Sequence, residues 1–238
     1  DISGNSFDYY RTLRVTNPSN YLYFYDFEDY QIIGASPESL VSVKDGIVTT
    51  NPIAGTRPRG NDEEEDQRLA ADLSTDTKEV AEHRMLVDLG RNDIGRIAQI
   101  GTVEVTKYME VEYFRYVMHL TSIVKGQLLE NLTVLDALKA TLPAGTVSGA
   151  PKIRAMQRIY ELEKEKRGIY AGAIGYLSAT GDMDFAIAIR TMVVKNGKAY
   201  VQAGAGIVYD SVPENEYQET LNKAKAMTKM GECYDSFN

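Results

Sequence analysis

Hydrophobic and polar positions change period several times along the chain, and the changes divide it into short strands and amphipathic helices. Residues 21–25, 31–34 and 39–43 are rich in aromatic and β-branched side chains and read as neighbouring strands. Lys44-Asp45-Gly46 supplies a hairpin turn into a further strand at 47–50. The opening is therefore expected to be mostly antiparallel sheet. Residues 61–65 are acidic and read as a loop running into a helix, and 77–89 reads as a second helix. A strand is expected at 117–124, helices at 131–141 and 150–164, and a loop between them at 142–149. Strands follow at 171–179, 186–194 and 199–208, joined by the turns Thr180-Gly181-Asp182 and Lys195-Asn196-Gly197. The last element is a helix from about Pro213 to Met230. Ser211 and Glu214 give it a capping box, Pro213 lies in its first turn, and Tyr217, Leu221, Ala224 and Met227 form an apolar stripe. With no internal repeat, low-complexity tract or linker, one α+β domain over 1–238 is expected.

Composition narrows the classes of function. The 238 residues are 43% hydrophobic and 25% charged, which is enough for one large core or two small ones. A net charge of −8 argues against nucleic acid or an anionic membrane as partner, because counterion release needs clustered Lys and Arg. No apolar run reaches membrane-span length, and Asp1-Ile2-Ser3-Gly4-Asn5 does not read as a signal peptide. One cysteine, Cys233, and two histidines exclude a disulfide framework and a Cys/His zinc site within the chain, and a reducing cytoplasm fits. Gly149-Ala150-Pro151-Lys152 lacks the flanking residues of a P-loop, Gly204-Ala205-Gly206 is not completed to G-x-G-x-x-G, and H-E-x-x-H is absent. Neither His83 nor His119 lies in a recognisable triad motif.

The candidate chemistry lies in carboxylates. Glu79 and Glu82 in the helix at 77–89, and Glu216 and Glu219 in the last helix, each stand at i, i+3 and line one helical face. Such pairs read either as solvated faces of an acidic chain or as hard oxygen ligands for a cation such as magnesium, and spacing alone leaves both open. Lys223 continues the second stripe, where it would sit near an anion. Gly204-Ala205-Gly206 reads either as backbone N–H groups open to a carboxylate or as tight strand packing.

The motifs Gly34-Ala35-Ser36-Pro37-Glu38, Pro52-Ile53-Ala54-Gly55-Thr56-Arg57, Glu82-His83-Arg84-Met85-Leu86-Val87-Asp88-Leu89-Gly90-Arg91-Asn92-Asp93, Leu142-Pro143-Ala144-Gly145-Thr146-Val147-Ser148-Gly149-Ala150-Pro151-Lys152, Arg167-Gly168-Ile169-Tyr170 and the run 204–219 cover the chain in order. Together they resemble the chorismate-utilising enzymes, and most closely the large subunits of anthranilate synthases. The resemblance implies two large antiparallel sheets facing each other with helices outside, and a magnesium-dependent lyase acting on chorismate. It assigns Glu82 and Glu219 as direct magnesium ligands and Glu79 and Glu216 as ligands through water. Tyr170 and Arg190 match positions that bind the enolpyruvyl carboxylate; Thr146, Gly204, Ala205, Gly206 and Lys223 complete the polar lining. Glu38 matches the acid that protonates the leaving C4 hydroxyl, a task suited to a buried glutamate with a raised pKa, and His119 the histidine needed to eliminate pyruvate. Taken alone, Arg190 reads equally as a strand-end charge, Tyr170 as one of 16 tyrosines and His119 as a hydrogen-bonded core histidine.

Ala54 decides the nucleophile within the family. Aminodeoxychorismate synthases usually carry lysine there, and isochorismate and salicylate synthases, which use water, generally lack the full 88–93 and 148–152 stretches. Ammonia from a glutamine amidotransferase partner is therefore the expected nucleophile. The family's large subunits are longer, with a tryptophan-binding regulatory half and a first catalytic strand that the resemblance places before Asp1. A sheet edge left unpaired there would favour self-association. Two alternatives remain: an aminodeoxychorismate, isochorismate or salicylate synthase of the same family, and a non-catalytic fragment that binds metal or a protein partner.

Overall fold

The computed structural model describes residues 4–115 and 117–228, apart from the side chain of Ala226; Met230 and Cys233 lie outside the described residues. The first half runs α1 (Ser6–Thr16), β1 (Tyr21–Phe27), β2 (Tyr30–Ser36), β3 (Ser39–Lys44), β4 (Ile47–Thr50), β5 (Ile53–Pro58), α2 (Glu63–Thr75), α3 (Thr77–Gly95) and β6 (Glu104–Tyr113). The second half runs β7 (Val117–Gln127), α4 (Val134–Thr141), α5 (Gly145–Ser148), α6 (Lys152–Leu162), β8 (Ala173–Leu177), β9 (Met183–Ile187), β10 (Thr191–Lys195), β11 (Lys198–Val201) and α7 (Pro213–Thr228). The chain forms two compact units. One holds the residues up to Ser39, Glu165–Ile174 and those from Ala186 onward, and the other holds Leu40–Lys164 and Gly175–Phe185.

In the first unit a four-stranded sheet has the order β1-β2-β10-β11 with antiparallel pairings. Asn5 caps α1 by accepting the Phe7 N–H at 2.9 Å, and the helix lays Tyr9 and Leu13 on Ile33, Ala35, Met192 and Val194. Met227 of α7 joins the same core and is fully buried. Each such side chain contributes about 1.5–3 kcal/mol on leaving water.

The larger sheet has the order β5-β7-β4-β3-β9-β8, with β6 on the other edge of β7. Leu73 of α2 covers Met118 and Leu120 of β7, all three fully buried. Asp76 caps α3: its Oδ1 accepts the N–H groups of Lys78 and Glu79 at 3.0 and 3.1 Å. The hairpin at 44–46 forms as its residue types predict, with Asp45 at φ 49° and Gly46 at φ 77°.

Several expectations need correction. The segments 31–34 and 39–43 are strands but not neighbours: β2 pairs with β1 and β10, and β3 with β4. The expected strand at 186–194 is broken at 188–190, where Arg190 takes a left-handed φ of 47°, and its ends lie in different sheets. The apolar alternation continues through the break and conceals it. The strand expected to reach 208 stops at Val201, so Gly204-Ala205-Gly206 lies beyond a strand, where two glycines favour irregular backbone. Ser211 does not cap α7. Its hydroxyl accepts the Val208 N–H at 3.0 Å, and Glu216 N–H reaches the Val212 carbonyl. Of the apolar stripe on α7, Met227 is buried while Tyr217 is 65% exposed. The pattern gave no sign of α1, β5, β6 or the one-turn α5.

Candidate functional site

The candidate residues fall into two constellations, one in each unit. In the larger unit they gather around β5. A bulge sets Ala54 opposite Leu120 and Thr56 opposite His119, with Gly55 between them at φ 74°. A side chain at Gly55 would be strained by that φ, and its Cβ would stand 3.2 Å from Glu79 Oε2 and 3.0 Å from Leu73 Cδ1. The glycine therefore lets the Glu79 carboxylate approach the strand. His119 Nδ1 donates to the Gly55 carbonyl at 2.9 Å, and Thr56 Oγ1 lies 3.1 Å from the same nitrogen. A carbonyl only accepts, so the contact assigns the proton to Nδ1 and leaves Nε2 as the basic nitrogen. The Phe114 ring meets His119 edge-on at 5.4 Å.

Glu79 and Glu82 are half-buried one turn apart on α3. Burial, then the charges of Glu82 and Asp76, hold the Glu79 carboxyl above the usual carboxylate range. Carboxylate oxygens that repel in a partly desolvated place are a donor set suited to a hard divalent cation, so these residues fit magnesium. Among the described residues, no three His, Cys, Asp or Glu side chains form a metal-holding cluster within either unit. Thr146, on α5, has a buried hydroxyl oxygen with no hydrogen-bond partner among the described residues. An orphaned polar atom of this kind is costly unless a ligand or water meets it.

In the smaller unit, Tyr170 stands against the bare backbone of Gly204: a Cβ there would fall 2.7 Å from the Tyr170 hydroxyl. Arg167 stacks over the Tyr170 ring at 5.6 Å. Lys223 Nζ donates to the Gly204 carbonyl at 3.2 Å and pairs with Glu219 at 2.5 Å, one turn back on α7. Ala205 and Glu216 line a cavity of about 310 Å³ with Ile207, Val208 and Tyr217. Tyr170, Gly204–Gly206, Glu216, Glu219 and Lys223 thus form one neighbourhood.

Arg190 follows from the break between β9 and β10. Its carbonyl accepts the Ala35 N–H at 3.1 Å, which fixes the left-handed turn against β2. Burial lowers its pKa and the charge of Glu38 opposes the shift, yet among the described residues its guanidinium makes no ion pair within 4 Å. Glu38 is held through its backbone, the carbonyl accepting the Ile187 N–H at 3.0 Å. A desolvated guanidinium without an ion pair is suited to a carboxylate.

Three features escaped the sequence reading. His83 is fully buried, its Nε2 2.7 Å from Ser122 Oγ, which also accepts the Met109 N–H. Burial lowers its pKa to about 4, so the ring is neutral at ordinary pH. Arg57 is wrapped by Asp72, Asp76 and Glu79. Lys152 forms a buried ion pair with Asp93. The clue in each case was a polar residue inside an otherwise apolar or motif-bearing stretch.

A family description of chorismate binding enzymes matches residues 1–229. The chain belongs to that family. It is 65% identical over 232 residues to anthranilate synthase component 1 of Lactococcus lactis subsp. lactis strain IL1403, covering 98% of this chain and 51% of that relative. The component 1 of Aquifex aeolicus strain VF5 is 60% identical over 228 residues, with 96% and 46% covered. The crystal structure of anthranilate synthase component I from Streptococcus pneumoniae TIGR4 superposes with a TM-score of 0.89 at 78% identity, covering 95% of this chain and 50% of that one. The menaquinone-specific isochorismate synthase from Escherichia coli superposes at a TM-score of 0.76 with 30% identity, over 85% and 46%. This member of the family spans about half the length of the curated relatives it matches. It shares with the pneumococcal enzyme two antiparallel sheets flanked by helices.

Proposed function

We propose that this chain is the chorismate-binding catalytic portion of an anthranilate synthase large subunit, forming anthranilate and pyruvate from chorismate and ammonia with magnesium, in tryptophan biosynthesis in the cytoplasm. The observation that carries the reading is Arg190, a buried guanidinium with no ion pair among the described residues, close enough to Glu38 to feel its charge. An anion is the natural occupant, and Tyr170 supplies a phenol suited to the same task. Relatives named anthranilate synthase at 60–65% identity, against 30% for the isochorismate synthase, support ammonia over water. Ala54 supports it too, since it offers no amine of its own.

In this reading Glu82 and Glu219, with Glu79 and Glu216, would hold the magnesium. Bound there, the ion would neutralise a substrate carboxylate and withdraw charge from the ring. Glu38 gives a proton to the C4 hydroxyl as ammonia adds at C2, so water leaves and an aminated diene forms. His119 takes the C2 proton on Nε2, since Nδ1–H is committed to Gly55, and the electron pair left at C2 restores the aromatic ring as pyruvate departs. Thr146 Oγ1 and the Gly204–Gly206 backbone bind the polar edge, and Lys223 holds Glu219 while offering its charge to the substrate. Ammonia comes from a glutamine amidotransferase subunit.

The test is fluorescence detection of anthranilate from chorismate, magnesium and ammonium salt, for the chain itself and for a protein of the relatives' length carrying it. Anthranilate formation dependent on ammonium supports the reading. Isochorismate or salicylate, formed without ammonium, would overturn it.

A further inference from the structure

We infer that Arg57 is a positioning residue for the proposed cation site, acting through the N-terminus of α3. The inference rests on Glu79 and Glu82 being cation ligands. Arg57 stands two residues beyond Gly55 on β5, where the motif containing it leaves two roles open: clamping a substrate anion or organising the protein. Its contacts favour the second. Nε donates to Asp72 Oδ2 at 2.7 Å, Nη2 to Asp76 Oδ2 at 2.8 Å and Nη1 to the Thr56 carbonyl at 3.1 Å. Each guanidinium nitrogen already donates to the protein, three of the five N–H groups in all, and two of the acceptors are carboxylates. Arg190, whose guanidinium makes no ion pair among the described residues, is the opposite case.

The engaged groups define what Arg57 does. Asp72 lies near the end of α2, and Asp76 is the cap between α2 and α3. Asp76 divides its carboxylate: Oδ2 grips Arg57 while Oδ1 accepts the Lys78 and Glu79 N–H groups. The guanidinium thereby fixes the first turn of α3 against β5 through a charge-assisted bond and a cap in series. Glu79 is the third residue of that helix, and Glu82 follows one turn on. Arg57 Nη1 also stands 4.0 Å from Glu79 Oε1, and Gly55 leaves room for the same carboxylate. One short strand segment thus fixes the backbone, the approach and part of the charge environment of the first glutamate pair. Outer partners of this kind orient metal ligands, and their loss typically costs roughly 10–100-fold in metal affinity.

The experiment is calorimetric titration of the protein with magnesium chloride alone, at a temperature where circular dichroism shows each variant folded. Arg57→Gln removes the charge and the fork; Arg57→Lys keeps the charge, fills the space and cannot bridge Asp72 and Asp76 together. Asp76→Asn keeps a capping oxygen, and Glu79→Gln removes a ligand. We expect both Arg57 variants to weaken magnesium binding by roughly 10–100-fold, with Asp76→Asn milder and Glu79→Gln at least as severe. Arg57→Lys is the deciding variant, because it is the one more certain to stay folded. If it melts earlier yet binds magnesium as the wild type does, while Glu79→Gln loses binding, Arg57 is a structural brace only and the inference is overturned with the cation site intact. If Glu79→Gln also binds normally, the cation reading falls and takes this inference with it.

Discussion

Lys152→Met tests how much of the larger unit depends on one buried charge pair. Lys152 Nζ lies 2.7 Å from Asp93 Oδ2, with the two side chains 12% and 8% exposed. It also donates to the Thr141 carbonyl at 3.2 Å, so it ties α6 to the end of α4 and to α3. At an effective dielectric near 20 the Coulomb attraction is roughly 6 kcal/mol. Burial costs each ion several kcal/mol, so the intact pair is close to neutral for stability. In keeping with this, burial raises the Asp93 carboxyl, and the Lys152 contact pulls it back without cancelling the shift. Removing one partner is different, because Asp93 is left buried and unpaired. The expected loss is about 3–5 kcal/mol, or roughly 6–20 °C in Tm for a chain of this size. Asp93→Leu combined with Lys152→Met should recover most of that loss. Urea unfolding followed by far-UV circular dichroism reads the loss, with the slope checked for constancy. A loss below about 1 kcal/mol for the single variant, or full additivity in the double, would refute the assignment of a desolvated coupled pair. Because Lys152 closes the loop that carries Thr146, chorismate should also bind more weakly to the folded single variant.

Glu219→Gln should abolish magnesium-supported chorismate binding while leaving the melting curve in place; calorimetry with both ligands checks it, and unchanged affinity would remove Glu219 from the site. His119→Ala should spare amination more than pyruvate loss, so chromatography should show the aminated diene accumulating in a protein of the relatives' length; equal losses in both steps would count against a base at Nε2. Tyr23 is held up to about 12 by burial, and its hydroxyl donates to Thr191 Oγ1, whose own proton goes to the Ile189 carbonyl. Its folded pKa exceeds the unfolded value of 10.0, so the native state holds the proton longer, and stability falls as pH rises from about 10 to 12, by up to about 2–3 kcal/mol. Urea unfolding across that range should show the fall in the wild type and a shallower one in Tyr23→Phe.

Local structure was legible where one residue type fixes one geometry. Asp45-Gly46 marked a hairpin, and an α3 start at Thr77 is what a capping Asp76 dictates. Sheet membership was not legible: β2 and β3 are separated by two residues, yet they join different sheets, because β2 pairs with the distant β10 while β3 turns back onto β4. The Arg190 turn was hidden for the same reason, since the residues around it are apolar on both sides of the break and only the change of sheet demands a left-handed residue. β5 contains Gly55 and Pro58, which argue against a strand by composition, and only pairing with β7 makes it one. The candidate site residues came from resemblance to a family, because the contacts that give them meaning, such as Gly55 with His119 and Gly204 with Lys223, join distant segments.

The pairing of β2 with β10 sets a timetable for folding. Gly34 meets Thr191 and Gln31 meets Val194, so β1 and β2 wait for a strand far along the chain before the four-stranded sheet is complete. Until then β1 and β2 form only a hairpin, which is marginal alone in water. The larger unit has most of its chain between Leu40 and Lys164 and can begin to collapse first. Refolding should therefore be biphasic, with a slow phase set by the entropy of closing that long loop. During the delay, the β2 edge that later accepts β10 is open to other chains, so refolding yield should fall as protein concentration rises.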